Sequence, residues 1–407
     1  MISTPSASSR VASVPAVPRP RPARLSERGA FVLLASLAVS FLAGSSAPTP
    51  LYALYQARWG FSPIVTTLVF GSYALAVLVS LLTVGRLSDH VGRRPVLVVA
   101  TLLQAFTMLI FSSANGVSDL IAARIIQGLS TGAALGAIGA GMVDLDRAQG
   151  TLANSVAPMI GTATGALLSG VLVQYLPLPD ELVYGVLFVA FVVQALGVVL
   201  MPEPAQKRSG ALASLKPQFS LPAELYTPML VAAPLLVAAW AFVGFYGSLG
   251  PGLVGHFFGH RSALLGGLTL FSMAGSGALA VLALREKAGR EMMLTGAAAL
   301  ASGVVLTLFA LRLGSPTVFF LGTSVAGAGF GTGFQGAIRN LIPSAPVNAR
   351  AGVLSVIFLI SYLAMGVPAI AAGFRVVATH DLLGTAHELG LVVGALALVA
   401  LAGRLRH

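Results

Sequence analysis

Apolar residues run in long stretches along this chain and do not alternate with polar ones. A helix that crosses a bilayer needs about 20 mostly apolar residues. The chain divides into twelve such stretches, separated by short polar turns or by Pro and Gly. The pattern predicts twelve membrane-spanning helices, at 30–55, 63–84, 96–115, 118–142, 151–175, 183–201, 228–251, 262–284, 292–311, 316–339, 351–373 and 386–403.

The composition supports this interpretation and excludes several classes of protein. Only 9% of the 407 residues are charged and 56% are hydrophobic, whereas about 25% of a typical soluble domain is charged. These charges are too few to cover a water-facing surface, so a soluble enzyme is excluded. The chain has no cysteine, which excludes disulfides, thiolate nucleophiles and cysteine-bound metals.

The basic residues predict how the helices are oriented in the membrane. The net charge is +11, a value that also suits nucleic-acid binding. Of the 24 Lys and Arg residues, however, nineteen fall on the side of the N-terminus, four fall on the opposite side and Arg124 lies within a helix. By the positive-inside rule both termini face the cytoplasm. The charge therefore indicates a multi-pass protein of the plasma (inner) membrane, and no nucleic-acid partner is expected.

The polar segments divide the chain into four regions. Residues 1–28 are rich in Pro, Ser, Ala and Arg and are predicted to form a disordered cytoplasmic tail. Residues 202–227 contain the longest polar stretch between predicted helices and are interpreted as a cytoplasmic linker. The linker separates an N-terminal six-helix bundle, 29–201, from a C-terminal six-helix bundle, 228–407.

The two bundles carry traces of an internal repeat. The segment GRLSDHVGRRPVL, which begins at residue 85, aligns with LALREKAGREMML at an offset of 197 residues. Gly128 likewise aligns with Gly327, at an offset of 199 residues. Two repeated halves around one site near the membrane midplane are typical of secondary transporters. The sequence therefore predicts an all-α membrane protein with twelve transmembrane helices in two pseudo-symmetric six-helix bundles.

The loop after the second predicted helix resembles the loop signature of the major facilitator superfamily. The matching residues are Gly85, Asp89, Gly92, Arg93 and Arg94. His90 stands where the family usually has arginine. The resemblance implies a gating role for these residues, in which Asp89 locks the halves together in the outward-facing state by meeting the start of the eleventh helix, near Asn348 and Arg350. The alternative is a plain basic loop that obeys the positive-inside rule.

The fourth predicted helix contains a charge inside the membrane. The segment LIAARIIQG around Arg124 is similar to a motif of the same family, in which Arg is followed three residues later by Gln-Gly. A cation at the centre of a membrane helix costs about 2.5–3.5 kcal/mol, and Gln127 lies on the same helix face. The pair is predicted to face the interior and to act in proton coupling or substrate binding. The alternative is that Arg124 extends to the membrane surface.

The fifth predicted helix contains small residues at regular spacing. The segment GTATGALLSG resembles the family motif associated with antiporters, through Gly161, Gly165 and Gly170, with Ala166 in place of the usual proline. The resemblance implies antiport. Small residues at this spacing also let helices pack closely, so plain helix packing is the alternative.

Other polar and aromatic residues inside the helices are candidates for a central cavity. They are Tyr73, Asn154, Trp240, Tyr246, Gln335 and Tyr362. All 13 acidic residues fall in loops, tails or helix ends, so no carboxylate is expected deep in the membrane. A lone Arg124 near the cavity disfavours cationic cargo by charge repulsion.

These features predict a secondary active transporter that works by alternating access. The antiporter-like motif favours proton-coupled efflux of a neutral or amphipathic small molecule. The missing carboxylate favours the alternative, an importer or facilitator of a small metabolite without proton antiport. No catalytic grouping, nucleotide-binding loop, cofactor or metal site is predicted, so the chain is not expected to be an enzyme. A small-molecule substrate, protons and lipid are the expected partners of a monomer.

Single cysteines can test the predicted topology, because the chain has none of its own. Cysteines introduced at Ser112 and Arg147 are expected to react with a membrane-impermeant maleimide from opposite sides of the membrane. The measurement is labelling in right-side-out and in inverted vesicles. Labelling of both positions from one side would contradict the helix assignment.

Overall fold

The computed structural model describes residues 25–205, 208–258 and 262–406. All regular secondary structure in these residues is helical, and twelve helices are long and apolar enough to cross a membrane. Called spans 1 to 12 below, they are Glu27–Trp59, Pro63–Thr83, Arg93–Ser112, Val117–Leu145, Arg147–Tyr175, Pro179–Leu200, Ala223–Ser248, Ala263–Ala283, Gly289–Leu313, Pro316–Ser344, Arg350–Thr379 and Leu382–Arg406. Short helices at Ser88–Val91, Ala211–Ser214 and Gly250–Phe258 lie between spans.

The twelve predicted spans are all present, but most helices run past their predicted ends. Span 1 begins at Glu27, inside the stretch predicted to be a tail, and span 11 continues to Thr379 where an end at residue 373 was predicted. Residues 1–24 of the predicted tail lie outside the described residues. The extension has a simple cause, because hydrogen bonding along a helix backbone does not stop where the apolar side chains stop.

Proline and glycine fix several helix ends. Pro63, Pro179 and Pro316 occupy the first turns of spans 2, 6 and 10, where the missing N–H leaves no helical hydrogen bond unmade. Gly60 and Gly314 follow spans 1 and 9 with φ angles of 68° and 65°, a left-handed conformation that glycine adopts without strain. These residues keep the turns short, so consecutive spans run antiparallel. The side on which span 1 begins is called the near side below, and the other the far side.

Buried apolar side chains form one core in each half of the molecule. One cluster lies within spans 1–6 and includes Phe41 and Phe191. A second lies mainly within spans 7–12 and includes Leu300. A third, smaller cluster joins spans 2 and 11 through Tyr73 and Tyr362. The chain therefore forms two six-helix bundles, the N-half (spans 1–6) and the C-half (spans 7–12), which meet along spans 2 and 11 and along spans 5 and 8.

The two halves repeat the same helix packing. A Cβ atom placed on Gly128 of span 4 would lie 2.7 Å from the carbonyl oxygen of Tyr73 in span 2. A Cβ atom on Gly327 of span 10 would overlap the carbonyl oxygen of Met273 in span 8. Such close backbone approaches are the usual role of small residues in membrane helices. The sequence repeat is therefore also a repeat of structure.

Large apolar side chains cover the outside of the bundle. Leu196 and Leu279, for example, are 63% and 69% exposed. A continuous apolar surface of this kind is unfavourable in water and matches the hydrocarbon of a bilayer. The chain is therefore a multi-pass membrane protein with twelve spans.

The glycines of the span 5 motif lie at helix contacts. Gly161 and Gly165 face span 1, and a Cβ atom on either would overlap the backbone of Val39 or Ala43. Gly170 faces span 8 of the C-half, where a Cβ atom would lie 2.7 Å from the carbonyl oxygen of Ala263. Close packing accounts for all three positions, and the antiport role of the motif stays a prediction.

Gly165→Ala is expected to destabilise the protein by about 1–3 kcal/mol, because the added methyl group overlaps backbone that cannot turn away. Gly185→Ala is the matched control, since no atom lies within 4 Å of a Cβ at Gly185 and alanine favours the helix by about 1 kcal/mol. The measurement is the melting temperature of the purified variants. If Gly165→Ala melted as high as the control, the packing role would be contradicted.

Candidate functional site

A cavity lies between the N-half and the C-half, near the middle of the spans. It encloses about 940 Å³, part of which is open to solvent. Side chains of spans 1, 2 and 5 form its N-half wall, and side chains of spans 7, 8, 10 and 11 form its C-half wall. Both repeated bundles therefore contribute to one shared space, in agreement with the site expected near the midplane.

Five of the six residues predicted to face a cavity line this one. They are Tyr73, Asn154, Trp240, Gln335 and Tyr362. Tyr246 does not line this cavity and lies instead beside a separate, apolar pocket within the C-half. Its ring packs on Phe242 inside the C-half, with ring centroids 4.5 Å apart, and its hydroxyl lies 3.2 Å from Thr323 Oγ1. Six residues after Trp240, it is turned by about 240° around the helix, so it faces away from the cavity.

The N-half wall carries most of the polar side chains of the cavity, next to the apolar Leu42, Phe70, Pro158 and Met159. Its hydroxyl and amide side chains belong to Ser45, Ser46, Thr49, Tyr73, Asn154, Ser155 and Thr162. Ser46 donates its hydrogen to the carbonyl oxygen of Ala43 at 3.1 Å, and Thr162 donates to that of Pro158 at 3.0 Å. A hydroxyl oxygen whose hydrogen is committed in this way can still accept a hydrogen bond. This wall therefore offers acceptors to a ligand.

The C-half wall is aromatic. The Trp240 ring lies 5.8 Å from Phe330, 5.2 Å from Phe334 and 5.3 Å from Tyr362, measured between ring centroids. Phe330 and Phe334 were not predicted, because single phenylalanines do not stand out among the 21 of this chain. Their spacing of four residues, which places both on one face of a helix, is the signal that identifies them.

The cavity carries no charged side chain among the described residues that line it. Nor do the described residues contain a group of three or more His, Asp or Glu side chains that could hold a metal ion. The surface presented to a ligand is thus neutral, with most of its hydrogen-bonding groups on the N-half wall and most of its rings on the C-half wall.

Close contacts between the halves seal the far side of the cavity. A Cβ atom on Gly71 of span 2 would lie 2.8 Å from Ile370 Cδ1 in span 11. Thr49 Oγ1 donates to the carbonyl oxygen of Gly247 at 3.3 Å, which joins spans 1 and 7. Gly170 and its contact with span 8 lie at the same end of the molecule. These approaches bring backbone against backbone or side chain and hold the two halves together on the far side.

On the near side, the halves are joined by apolar packing between spans 2 and 11, with Leu81 and Phe358 as examples, and by a hydrogen bond between side chains. Ser155 Oγ of span 5 lies 3.2 Å from Gln335 Oε1 of span 10 and shares its one hydrogen between this oxygen and the carbonyl oxygen of Thr151 at 2.9 Å; both side chains are buried. A neutral hydrogen bond contributes about 0.5–1.5 kcal/mol. This contact can therefore break at small cost.

Arg124 is completely buried in the N-half, and neutral groups surround its charge. Its guanidinium donates to the Tyr52 hydroxyl at 2.5 and 3.0 Å, to the carbonyl oxygen of Ser45 at 2.8 Å and to Gln127 Oε1 at 2.6 Å. The guanidinium carbon lies 5.6 Å from the Tyr52 ring centroid and 5.3 Å from that of Tyr73, close enough for cation–π attraction. Extension of Arg124 to the membrane surface is excluded by these contacts.

Arg124 and Gln127 lie one side chain behind the cavity wall. Gln127 Nε2 donates to the carbonyl oxygen of Gly44 at 3.0 Å, so the pair is committed to span 1. Ser45 and Tyr73 line the cavity, and the Tyr73 hydroxyl donates to Ser45 Oγ at 2.8 Å. The charge of Arg124 can therefore act on a ligand through these two side chains and not by direct contact.

The loop between spans 2 and 3 is tied together by Arg93. Its guanidinium pairs with Asp89, contacts Asp144 of span 4 at 3.1 Å and donates to Ser88 Oγ at 2.8 Å. The Arg94 side chain donates to the carbonyl oxygen of Val199 in span 6. The paired basic residues thus connect the loop to two other helices of the N-half.

The two glycines of this loop make room for their neighbours. Gly92 has a φ angle of 103°, and a Cβ atom there would lie 2.6 Å from Glu203 Oε2. Glu203, at the start of the linker, accepts from the backbone N–H groups of Arg93 and Arg94 at 2.7 and 3.0 Å, a favourable site for a carboxylate at a helix N-terminus. A Cβ atom on Gly136 of span 4 would lie 2.6 Å from the carbonyl oxygen of Gly85.

Asp89 does not meet the start of span 11 in this structure. It pairs with Arg93 within the N-half, and Arg350 Nε donates instead to the carbonyl oxygen of Ala345 at 3.2 Å. Arg93 lies one helical turn away and offers Asp89 a nearer cation. The contact with the start of span 11, near Asn348 and Arg350, was predicted for the outward-facing state and stays a prediction.

Comparison with known proteins identifies relatives of the chain. Residues 33–369 match the family model of the Major Facilitator Superfamily. The MFS-type transporter traF of Penicillium crustosum is 26% identical over 234 residues, which are 53% of this chain and 48% of that protein. The cephamycin export protein CmcT of Amycolatopsis lactamdurans is 35% identical over 128 residues, which are 30% of this chain and 26% of that protein. The matched part thus spans about half, or less, of the length of these relatives.

A solved structure shares the fold. The crystal structure of the nucleoside transporter NupG superposes with a TM-score of 0.67 and covers 93% of this chain and 98% of that one. The sequence identity is 12%, so the likeness concerns the fold alone.

Tyr52→Phe is expected to lower the melting temperature, because it removes the hydroxyl that accepts two hydrogen bonds from a buried cation. Leaving a buried polar group unsatisfied costs about 1–3 kcal/mol, and more for a charged one. Tyr55→Phe is the matched control, since the Tyr55 hydroxyl makes one hydrogen bond, to the hydroxyl of Tyr184 at 3.1 Å. Thermal unfolding of both variants is the measurement, and an equal loss in the two would contradict the role given to Tyr52.

Proposed function

Because the chain belongs to the Major Facilitator Superfamily and is a membrane transporter, we propose that it exports a neutral, amphipathic small molecule in exchange for protons. The observation that carries the proposal is the uncharged cavity between two repeated halves. The halves are joined on the far side by closely packed helices, and on the near side by apolar packing between spans 2 and 11 and by the Ser155–Gln335 hydrogen bond.

Alternating access is supported by where the halves touch. The halves rock against each other along spans 2 and 11 and spans 5 and 8, the helices at their interface. Separating span 2 from span 11 at Leu81 and Phe358, and Ser155 from Gln335, admits cargo from the near side. Separating Gly71 from Ile370 and Thr49 from Gly247 releases it on the far side. Each opening requires the other to close, as expected for a single central site.

A neutral cargo is supported by the chemistry of the cavity wall. No acidic side chain is present among the described lining residues to hold a cation, and Arg124 behind Ser45 and Tyr73 repels one. An anion would find no direct cationic contact. A molecule with one apolar face and one polar edge matches the aromatic C-half wall and the polar N-half wall. The direction of transport is supported by the similarity to a protein described as an export protein.

Proton coupling is supported by the carboxylates that share Arg93. Asp89 and Asp144 are partly exposed on the near side and both contact its guanidinium. Arg93 joins the loop that follows span 2 to spans 3 and 4. Proton exchange at this cluster is therefore placed next to span 2, which forms the interface with span 11.

The near side is proposed to face the cytoplasm of the plasma membrane. Basic residues at the near ends of the spans support this orientation, with Arg147, Arg285 and Arg404 as examples. Cargo then enters from the cytoplasm and leaves on the outside.

Inverted vesicles that hold an inward-acid pH gradient provide the direct test. A panel of neutral, anionic and cationic compounds is added, and the gradient is followed with a pH-sensitive dye. Antiport predicts a partial collapse of the gradient that requires both the protein and a neutral compound. If radiolabelled compounds cross without any proton signal, the antiport proposal is contradicted and facilitated transport replaces it.

A reversible disulfide between the two halves on the far side serves as the control for the vesicle experiment. It also tests alternating access. In Thr67→Cys with Gly373→Cys the two Cβ atoms start about 3.1 Å apart, near the spacing of about 3.5–4.5 Å found in disulfides. Oxidation is expected to lock the far side shut and stop transport, and a reductant is expected to restore it. Thr67→Cys alone should transport in both conditions. Continued transport by the fully cross-linked protein would contradict alternating access.

A further inference from the structure

The indole nitrogen of Trp240 lacks a hydrogen-bond partner. Trp240 Nε1 is buried and bonds to no group among the described residues. An indole N–H can only donate, and a buried donor without an acceptor costs about 1–3 kcal/mol. Because Trp240 lines the central cavity, a ligand in the cavity can supply the missing acceptor.

The rings around Trp240 form a stepped aromatic surface. Phe330 and Phe334 are parallel to each other within 6° and stand at 85° and 80° to the Trp240 ring. The Trp240 side chain is only half-buried, so part of its ring faces the cavity. Flat rings pack on such a surface in stacked or edge-to-face geometry, which contributes about 0.5–1.5 kcal/mol per pair beyond the area buried.

The opposite wall can bind the polar edge of the same ligand. Asn154 Nδ2 donates to the carbonyl oxygen of Gly139 at 2.9 Å, so the Asn154 side-chain oxygen is left as an acceptor. Ser46 and Thr162 also present oxygens whose hydrogens are committed to the backbone. Donor groups on the ligand are therefore matched by the N-half, and its rings are matched by the C-half.

An aromatic surface also attracts organic cations, but the charge distribution around this one opposes their binding. Acidic side chains are missing from the described lining residues, and the Arg124 guanidinium carbon lies 5.3 Å from the ring of Tyr73, which faces the cavity. A cation would meet repulsion without a counterion. The balance favours an uncharged ring system.

We propose, building on the export function above, that the cargo is a flat, uncharged aromatic compound with a carbonyl or ring-nitrogen acceptor. Its rings pack against Trp240 and Phe334, and its acceptor bonds to the indole N–H of Trp240. Its donor groups face Asn154 and Thr162 in the N-half. Turning of a neighbouring phenylalanine ring exposes the indole N–H as the ligand enters.

The chain contains two tryptophans, which allows a direct test. Trp59 stacks on Tyr55 outside the cavity, with ring centroids 4.8 Å apart. In the Trp59→Phe variant labelled with nitrogen-15 tryptophan, the only indole N–H signal belongs to Trp240. The probes are 2-quinolone, naphthalene without an acceptor, decahydroquinolin-2-one without a flat ring, and the cation N-methylquinolinium.

The expected result is a saturable downfield shift of the indole proton with 2-quinolone. Each of the other three probes should bind at least about tenfold more weakly than 2-quinolone. Adding Phe334→Leu should weaken 2-quinolone binding by up to about tenfold. Adding Phe271→Leu, which alters a lipid-exposed ring on span 8, should leave it unchanged.

Three outcomes would overturn the inference: no shift with 2-quinolone, an equal shift with naphthalene, or tighter binding of the saturated lactam or the cation. Failure of the proposed function is separately visible. If other compounds drive proton-linked flux while 2-quinolone does not shift the indole signal of Trp240, this inference alone fails. If 2-quinolone binds Trp240 but no compound drives flux in vesicles, the site stands and the export proposal fails.

Discussion

Hydrocarbon offers no hydrogen bonds, and this constraint governs the rest of the structure. Each span must satisfy its own backbone groups, so the regular structure of the described residues is helical. Lipid also provides little drive for helices to associate, so close backbone contact at small residues holds the bundles together. Gly165 against span 1 and Gly128 against span 2 are examples in the N-half, and Gly327 against span 8 is its counterpart in the C-half.

The same constraint explains how a charge survives inside the N-half. Arg124 has no carboxylate among its hydrogen-bond partners, which are the Tyr52 hydroxyl, a carbonyl oxygen and an amide oxygen. An ion pair would cancel the charge, whereas neutral partners satisfy the donors and leave its positive potential in place. This potential lies behind the Ser45 and Tyr73 side chains that face the cavity. Arg124, which stabilises the N-half, thereby also affects which ligand charge the cavity can accept.

The two halves share one arrangement of helices but differ in the chemistry of their side chains. The N-half faces the cavity with hydroxyl and amide groups, and the C-half faces it with Trp240 and its neighbouring rings. The loop signature differs as well. Arg93 binds two carboxylates in the N-half, while the aligned Arg290 donates to the carbonyl oxygen of Arg404 at 3.3 Å. The shared plan suits a symmetric rocking motion, and the divergence gives the cavity two unlike walls.

The sequence predicts what depends on local physics and misses what depends on long-range packing. The spans follow from apolar length, and the interior position of Arg124 follows from the cost of a charge in lipid. The partners of Arg124 do not, since Tyr52 and Ser45 lie 72 and 79 residues away along the chain. Glu203 capping span 3 is missed for the same reason. Tyr246 shows that polarity within a span does not decide which face a side chain occupies.

Rocking of the two halves around one cavity is the central claim, and distances between spin labels test it most directly. One pair of labels is placed on the far side, at Leu176 of the N-half and Leu313 of the C-half, and another on the near side, at Arg147 and Val347; all four residues are exposed. In reconstituted protein, a transported compound or a change of pH should lengthen one distance and shorten the other. Distances that stay fixed, or that change together in the same direction, would contradict the account.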